Sequence, residues 1–144
     1  MRVEQFLADS AARLAGKTAI VAGATRLTYA DLERAAASIA ATLAERGVRR
    51  GDRVVVFMDN CWQTVAAIFG VLKAGAVFSP VNPSTKAEKL AYILTNCEAR
   101  AIITQAKLLP VAGATAARSP SLAVTMVSGC LPGDAPDEIG RAHV

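Results

Sequence analysis

The run Arg53–Met58 (RVVVFM) is apolar at consecutive positions rather than alternate ones. A strand with one wet face alternates apolar and polar residues, so a continuous run marks a strand buried on both faces. Such strands belong to parallel sheets, whose crossover connections lay helices over the sheet. The residues that follow keep this rhythm. A helix is expected from Cys61 to Ala74, capped by Asn60 and closed by Gly75, then a strand Ala76–Ser79 cut by Pro80 and Pro83. Thr85 with Glu88 has the capping-box spacing and opens a helix through Leu90, Ile93 and Leu94 to about Cys97. Ala101–Thr104 (AIIT) reads as another buried strand, followed by a weaker helix near Lys107–Ala117. Ser119-Pro120-Ser121 breaks that helix, and Leu122–Val127 (LAVTMV) is the last strand.

Upstream of this alternation, Val3, Phe6, Leu7, Ala11 and Leu14 share one face at helical spacing, and Gly16 ends the helix. Lys17–Val21 and Arg26–Tyr29 flank Ala22-Gly23-Ala24-Thr25 as a hairpin. Thr28 then caps a second helix, with Asp31 completing a capping box. Its stripe is Leu32, Ala35, Ala36, Ile39 and Leu43, and its stop is Gly47. The fold class is therefore α/β, with a mostly parallel, helix-flanked sheet.

Composition removes several functions. With 144 residues, 53% hydrophobic and 19% charged, the chain can bury one real core. The net charge of +4 is scattered; only Arg49, Arg50 and Arg53 cluster, and aromatics are 5%, so no nucleic-acid face is expected. The longest charge-free stretches, Asn60–Leu72 and Ser119–Gly133, are too short and too polar or Gly/Pro-rich for a transmembrane segment. Glu4 and Asp9 interrupt the first apolar residues, unlike a secretory signal. Cys61, Cys97 and Cys130 are odd in number and lack a C-x-x-C pair, which fits reduced thiols and a cytoplasmic location.

Several short motifs invite a function and do not sustain it. Ala11–Thr18 (AARLAGKT) is close to a phosphate loop, but such a loop must follow a strand and open a helix, and here a helix precedes and a strand follows. No G-x-G-x-x-G is present, so the dinucleotide fingerprint is missing. Arg50-Gly51-Asp52 precedes a strand and reads as a tight turn. His143 has no Ser or Cys partner for a triad. Cys61 beside Trp62 and Ala66 reads as a packed thiol, although a helix N-terminus could lower its pKa.

One set of motifs does hold together. Leu27-Thr28-Tyr29-Ala30-Asp31-Leu32 resembles the L-[ST]-Y-x-[DE]-L motif of the adenylate-forming (AMP-binding) enzymes. Gly51-Asp52-Arg53-Val54 resembles their G-D-R-V, and Asp59-Asn60 stands where they often have P-N. Leu72–Pro83 (LKAGAVFSPVNP) looks like their L-K-A-G-A-x-x-x-P-[IVL]-[ND]-P block, and Glu88–Leu94 matches the E-x-L-x-Y-x-L helix after it. Order and spacing hold from about residue 3 to residue 110. The resemblance implies the N-terminal part of an AMP-dependent synthetase or ligase large domain. Such enzymes, acyl-CoA synthetases among them, use ATP to turn a carboxylate into an acyl-adenylate with release of pyrophosphate, and a thiol then takes the acyl group. ATP, Mg and CoA are thus implied for a full-length member, with a carboxylic acid as substrate. The asparagine-proline after the L-K-A-G block leans towards acyl-CoA or acyl-AMP ligases over peptide-synthetase domains.

The matched motifs are scaffold: glycine stops, proline breaks and threonine caps. The family's phosphate loop, adenine-binding segment, ribose-binding Asp and catalytic Lys have no counterpart here, so no catalytic, cofactor-binding or metal residue is assigned. The domain reading is a truncated N-terminal portion over 1–130 and an unstructured tail over 131–144. Within that tail Glu138–Val144 (EIGRAHV) reads as a translated sequencing adapter. A fragment of this kind is expected to be inactive alone, to bind none of the family's cofactors, to be marginally stable and to self-associate. Two other readings stand beside it, a free-standing α/β small-molecule binding module and an interaction subunit. Nucleotide binding by the isolated chain would mark the first, and a stable heteromer the second.

Overall fold

The computed structural model describes residues 1–128. Five α-helices and six strands run in the order α1 (Val3–Leu14), β1 (Thr18–Ala22), β2 (Thr25–Thr28), α2 (Tyr29–Glu45), β3 (Arg53–Phe57), α3 (Trp62–Lys73), β4 (Val77–Val81), α4 (Ala87–Asn96), β5 (Ala101–Gln105), α5 (Leu109–Ala116) and β6 (Val124–Ser128), with a short 3-10 turn at Ala106–Leu108. The strands β4-β3-β5-β6 form one parallel sheet, and β1-β2 is a separate antiparallel hairpin. The expected tail 131–144, including Glu138–Val144, and also Cys130 and His143, lie outside the described residues.

Burial on both sides of β3 follows from its pleat. Val54 and Val56 point into a core shared with Ile39, Leu43, Ala66 and Val71, so α2 and α3 cover that face. Val55 and Phe57 point the other way, into a core with Leu90, Leu94 and Ala112 from α4 and α5. The strand therefore has helix cover on both faces. β5 is buried along its whole length for the same reason.

The hairpin and the α2 capping box are as expected. Thr28 Oγ1 accepts from the Asp31 N–H at 3.1 Å, and an Asp31 carboxylate oxygen accepts from the Thr28 N–H at 3.0 Å. The predicted α2 stripe is buried throughout.

Other local expectations need correction. On α1 only Leu7 is buried, while Val3, Phe6 and Leu14 are exposed, because α1 packs at the rim of the core. Cys61, not Asn60, occupies the N-cap of α3, and its side chain makes no capping bond. The Thr85/Glu88 box does not form; Lys86 holds the N-cap of α4 without a side-chain bond.

Pro80 does not end its strand, for β4 runs through it, paired in register with Val56. The Val77 N–H donates to the Asp52 carbonyl at 2.8 Å, so odd-numbered β4 residues face β3 and Pro80 faces away from it. No ladder bond to β3 is lost, which is how β4, an edge strand among the described residues, tolerates proline.

Candidate functional site

The three helical connections of the sheet leave on different sides. After β3 the chain crosses to the face covered by α3, while after β4 and β5 it crosses to the face of α4 and α5. Crevices in open α/β sheets form where neighbouring connections diverge, at the C-terminal ends of the strands. Here β3 diverges from both neighbours, so two crevices flank it.

The β3/β4 crevice is open. It is a cleft of about 470 Å³, walled by Asp59, Asn60 and Thr64 on one side and by Pro80, Asn82 and Pro83 on the other. Both walls are held from within. Thr64 Oγ1 donates to the Asp59 carbonyl at 2.6 Å, and Cys61 Sγ lies 3.4 Å from Thr64 Oγ1. Asn82 Oδ1 accepts from the Ser84 N–H at 2.8 Å and from Ser84 Oγ at 2.7 Å, an Asx turn that sets the Pro83 loop. Beyond it Ser84, Lys86 and Lys89 line a second hollow at the start of α4.

At the β3/β5 crevice the two strand ends are bridged by side chains among the described residues. Gln105, 2% exposed at the end of β5, accepts the Asp59 N–H at 2.8 Å and donates to Asp59 Oδ2 at 3.1 Å. Lys107 pairs with the same carboxylate. Sequence reasoning drew attention to Asp59-Asn60 and to Asn82-Pro83 but missed Thr64, Gln105 and Lys107. The available signal for Gln105 was its place, a polar residue immediately after the apolar run AIIT.

Polar side chains of the cleft walls are engaged within the chain. In the cleft the Thr64 hydroxyl is committed to a backbone carbonyl and the Asp59 carboxylate to Gln105 and Lys107. Asp31, whose carboxyl is held below its ordinary range first by the Thr28 N–H and then by the Thr28 hydroxyl, caps α2 and does not line the cleft. Among the described residues no group of three or more His, Cys, Asp or Glu could hold a metal ion.

The other motifs resolve as structure. Ala11–Thr18 spans the end of α1 and the start of β1, with Lys17 N–H bonded to the Leu14 carbonyl at 2.9 Å. It offers no helix N-terminus to a phosphate. Arg50-Gly51-Asp52 is a tight turn, with Gly51 at φ +84° and the Asp52 N–H bonded to the Arg49 carbonyl at 3.0 Å. Arg53 spends its guanidinium on the Cys97 carbonyl at 2.7 Å, pinning the end of α4. Cys61 is half-buried, as a packed thiol would be.

Comparison with known proteins agrees with this architecture. A long-chain-fatty-acid–CoA ligase from Bacillus subtilis (strain 168) is 40% identical over 110 residues, which is 76% of this chain and 20% of that protein. Bacitracin synthase 1 from Bacillus licheniformis is 31% identical over 105 residues, 73% of this chain and 2% of that protein. The chain thus spans at most a fifth of the length of these two relatives. The crystal structure of the anthranilate CoA ligase AuaEII, in complex with anthranoyl-AMP, superposes with a TM-score of 0.84 at 26% identity, over 89% of this chain and 25% of that one. The family model described as "AMP-binding enzyme" matches residues 7–140. A match of that extent, on a sheet whose motif loops gather at one cleft, leaves a single conclusion: the chain belongs to the AMP-binding enzyme family.

Proposed function

We propose that the chain supplies part of an AMP-forming carboxylic acid ligase that acts on CoA. In that reaction a carboxylate oxygen attacks the α-phosphorus of ATP and the bond to pyrophosphate breaks. A thiol sulfur then attacks the acyl carbon, and AMP leaves with the electron pair of the carbon–oxygen bond. The observation that carries the reading is the 40% identity to a long-chain-fatty-acid–CoA ligase across 76% of the chain. The cleft supports it, because the motif residues Asp59, Asn60, Asn82 and Pro83 meet there at the C-terminal ends of parallel strands.

The isolated chain does not adenylate. The described residues present no phosphate loop, and with no cluster of metal ligands among them none is assigned to Mg. Their part is to shape the cleft and keep its walls fixed. No helix of the described residues is long and apolar enough to cross a membrane. The isolated chain also self-associates through β6, which among the described residues ends the sheet. Carboxylate-dependent exchange of labelled pyrophosphate into ATP tests the activity: the chain gives background exchange, and exchange above background refutes its inactivity. Size-exclusion chromatography tests association, and a clean monomer overturns it.

A further inference from the structure

We propose that Gln105 is a positioning residue: it seals the β3/β5 crevice and holds the Asp59–Asn60 turn as a fixed wall of the open β3/β4 cleft. The proposal rests on the ligase reading only in treating that cleft as a binding surface.

A buried glutamine ordinarily satisfies its amide with several partners. Gln105 is 2% exposed and directs both ends of its amide at Asp59: Oε1 takes the N–H and Nε2 gives to the carboxylate. The Thr64 hydroxyl donates to the Asp59 carbonyl, so the N–H, the carbonyl and the Oδ2 carboxylate oxygen of Asp59 are all engaged. The next residue, Asn60, is exposed and lines the cleft. The clamp therefore acts one residue away from the surface a ligand would touch.

The identity of residue 59 gives the clamp its purpose. Where the resembling motif often has proline, this chain has aspartate. Proline fixes φ and carries no N–H. Aspartate frees φ and adds a half-buried N–H, which needs a partner, and a partly exposed carboxylate, which can take one. Gln105 meets both at once, replacing a covalent restriction with two hydrogen bonds. Lys107, largely exposed, adds an ion pair of the kind that contributes little in water. The order of importance is thus Gln105 first and Lys107 second.

Three measurements on the chain test this. In the unaltered protein the Asp59 amide should exchange with solvent as slowly as the β5 amides, although it lies in a connection; exchange at loop speed overturns the clamp without any variant. In Gln105→Leu that amide should exchange about tenfold faster or more, the factor expected for one lost buried hydrogen bond. The sole tryptophan, Trp62, is 5% exposed and two residues beyond Asn60, so acrylamide quenching of its emission should rise in the same variant. Asp59→Asn keeps both partners of Gln105 and loses only the charge facing Lys107, so it should match the parent in both readouts. Asp59→Pro combined with Gln105→Leu should restore the shielding of Trp62. The proposal is overturned if Gln105→Leu leaves both readouts at parental values, if they move only in step with the urea midpoint, or if Asp59→Asn loosens the turn as much as Gln105→Leu. None of these readouts needs a ligand, so their failure leaves the ligase reading intact, and pyrophosphate exchange tests that reading separately.

Discussion

Replacing glycine by alanine in a helix ordinarily stabilises it by about 1 kcal/mol, through propensity alone. At Gly70 we expect the opposite. A Cβ there would sit 2.6 Å from Ile39 Cγ2, 2.7 Å from Ile39 Cβ and 3.0 Å from the Ala36 carbonyl oxygen. Carbon atoms in contact prefer about 3.5–4.0 Å, so α2 and α3 would have to part by about 1 Å. Ile39 cannot turn aside: it is fully buried and, being β-branched in a helix, has one strongly preferred rotamer. Overpacking of this kind costs about 1–3 kcal/mol. With two side-chain atoms and a backbone oxygen all opposing the methyl, we take about 3 kcal/mol, which leaves Gly70→Ala destabilised by about 2 kcal/mol after the propensity gain. Gly113 in α5 provides the control, because nothing lies within 4 Å of its would-be Cβ. Gly113→Ala should gain up to about 1 kcal/mol. Urea unfolding followed by far-ultraviolet ellipticity reads both, and equal slopes would show that the shifts are in stability. If Gly70→Ala proves as stable as the parent, the close approach of α2 and α3 is wrong and the argument fails.

Other substitutions probe separate features. Asp31→Ala should cost about 1 kcal/mol at pH 7 through the lost cap. The folded-state pKa of Asp31 is lowered from 3.8, so that contribution is full above the unfolded value and fades as pH falls through the folded one; the parent–variant difference should be level from pH 7 to about 5 and shrink below about 4. A difference that persists unchanged in strong acid would show that the carboxylate is not the cap. Lys73 Nζ lies 2.5 Å from Glu33 Oε1, and the other carboxylate oxygen is buried without a hydrogen-bond partner. Lys73→Met should therefore cost about 1–3 kcal/mol in a urea melt, and adding Glu33→Gln should recover part of it. No recovery in the double variant would mean that the lysine acts through its packing stem instead.

What could be read from the residues was whatever leaves a local pattern. RVVVF and AIIT announced themselves because burial on both faces removes the polar positions that a one-sided strand would show. Thr28 and Asp31 signalled their capping box because both partners lie within one helical turn. Thr85 and Glu88 carry the same spacing, yet α4 starts later, since spacing permits a cap and tertiary placement decides whether it forms. The exposed Val3 and Phe6 of α1 mislead for a similar reason: periodicity identifies an apolar face but not what covers it. The cleft was half legible. Asp59-Asn60 and Asn82-Pro83 stood out as motif segments, whereas Gln105 reaches Asp59 across 46 positions, a pairing that exists only once β3 and β5 are neighbours.

Pro80 makes the two flanks of the described sheet unlike each other. Its nitrogen lies on the outer side of β4, so it removes a donor where another chain would have to dock and leaves every bond to β3 intact. That flank offers an interrupted template, and a strand seeking partners there would meet a gap in the middle of its ladder. The opposite flank, β6, pairs with β5 at each position from Val124 to Ser128 and carries no proline in that span. Among the described residues the β6 flank is therefore the unbroken template and the β4 flank the interrupted one. A single residue inside the matched LKAGAVFSPVNP block thus makes the two flanks of the sheet unequal.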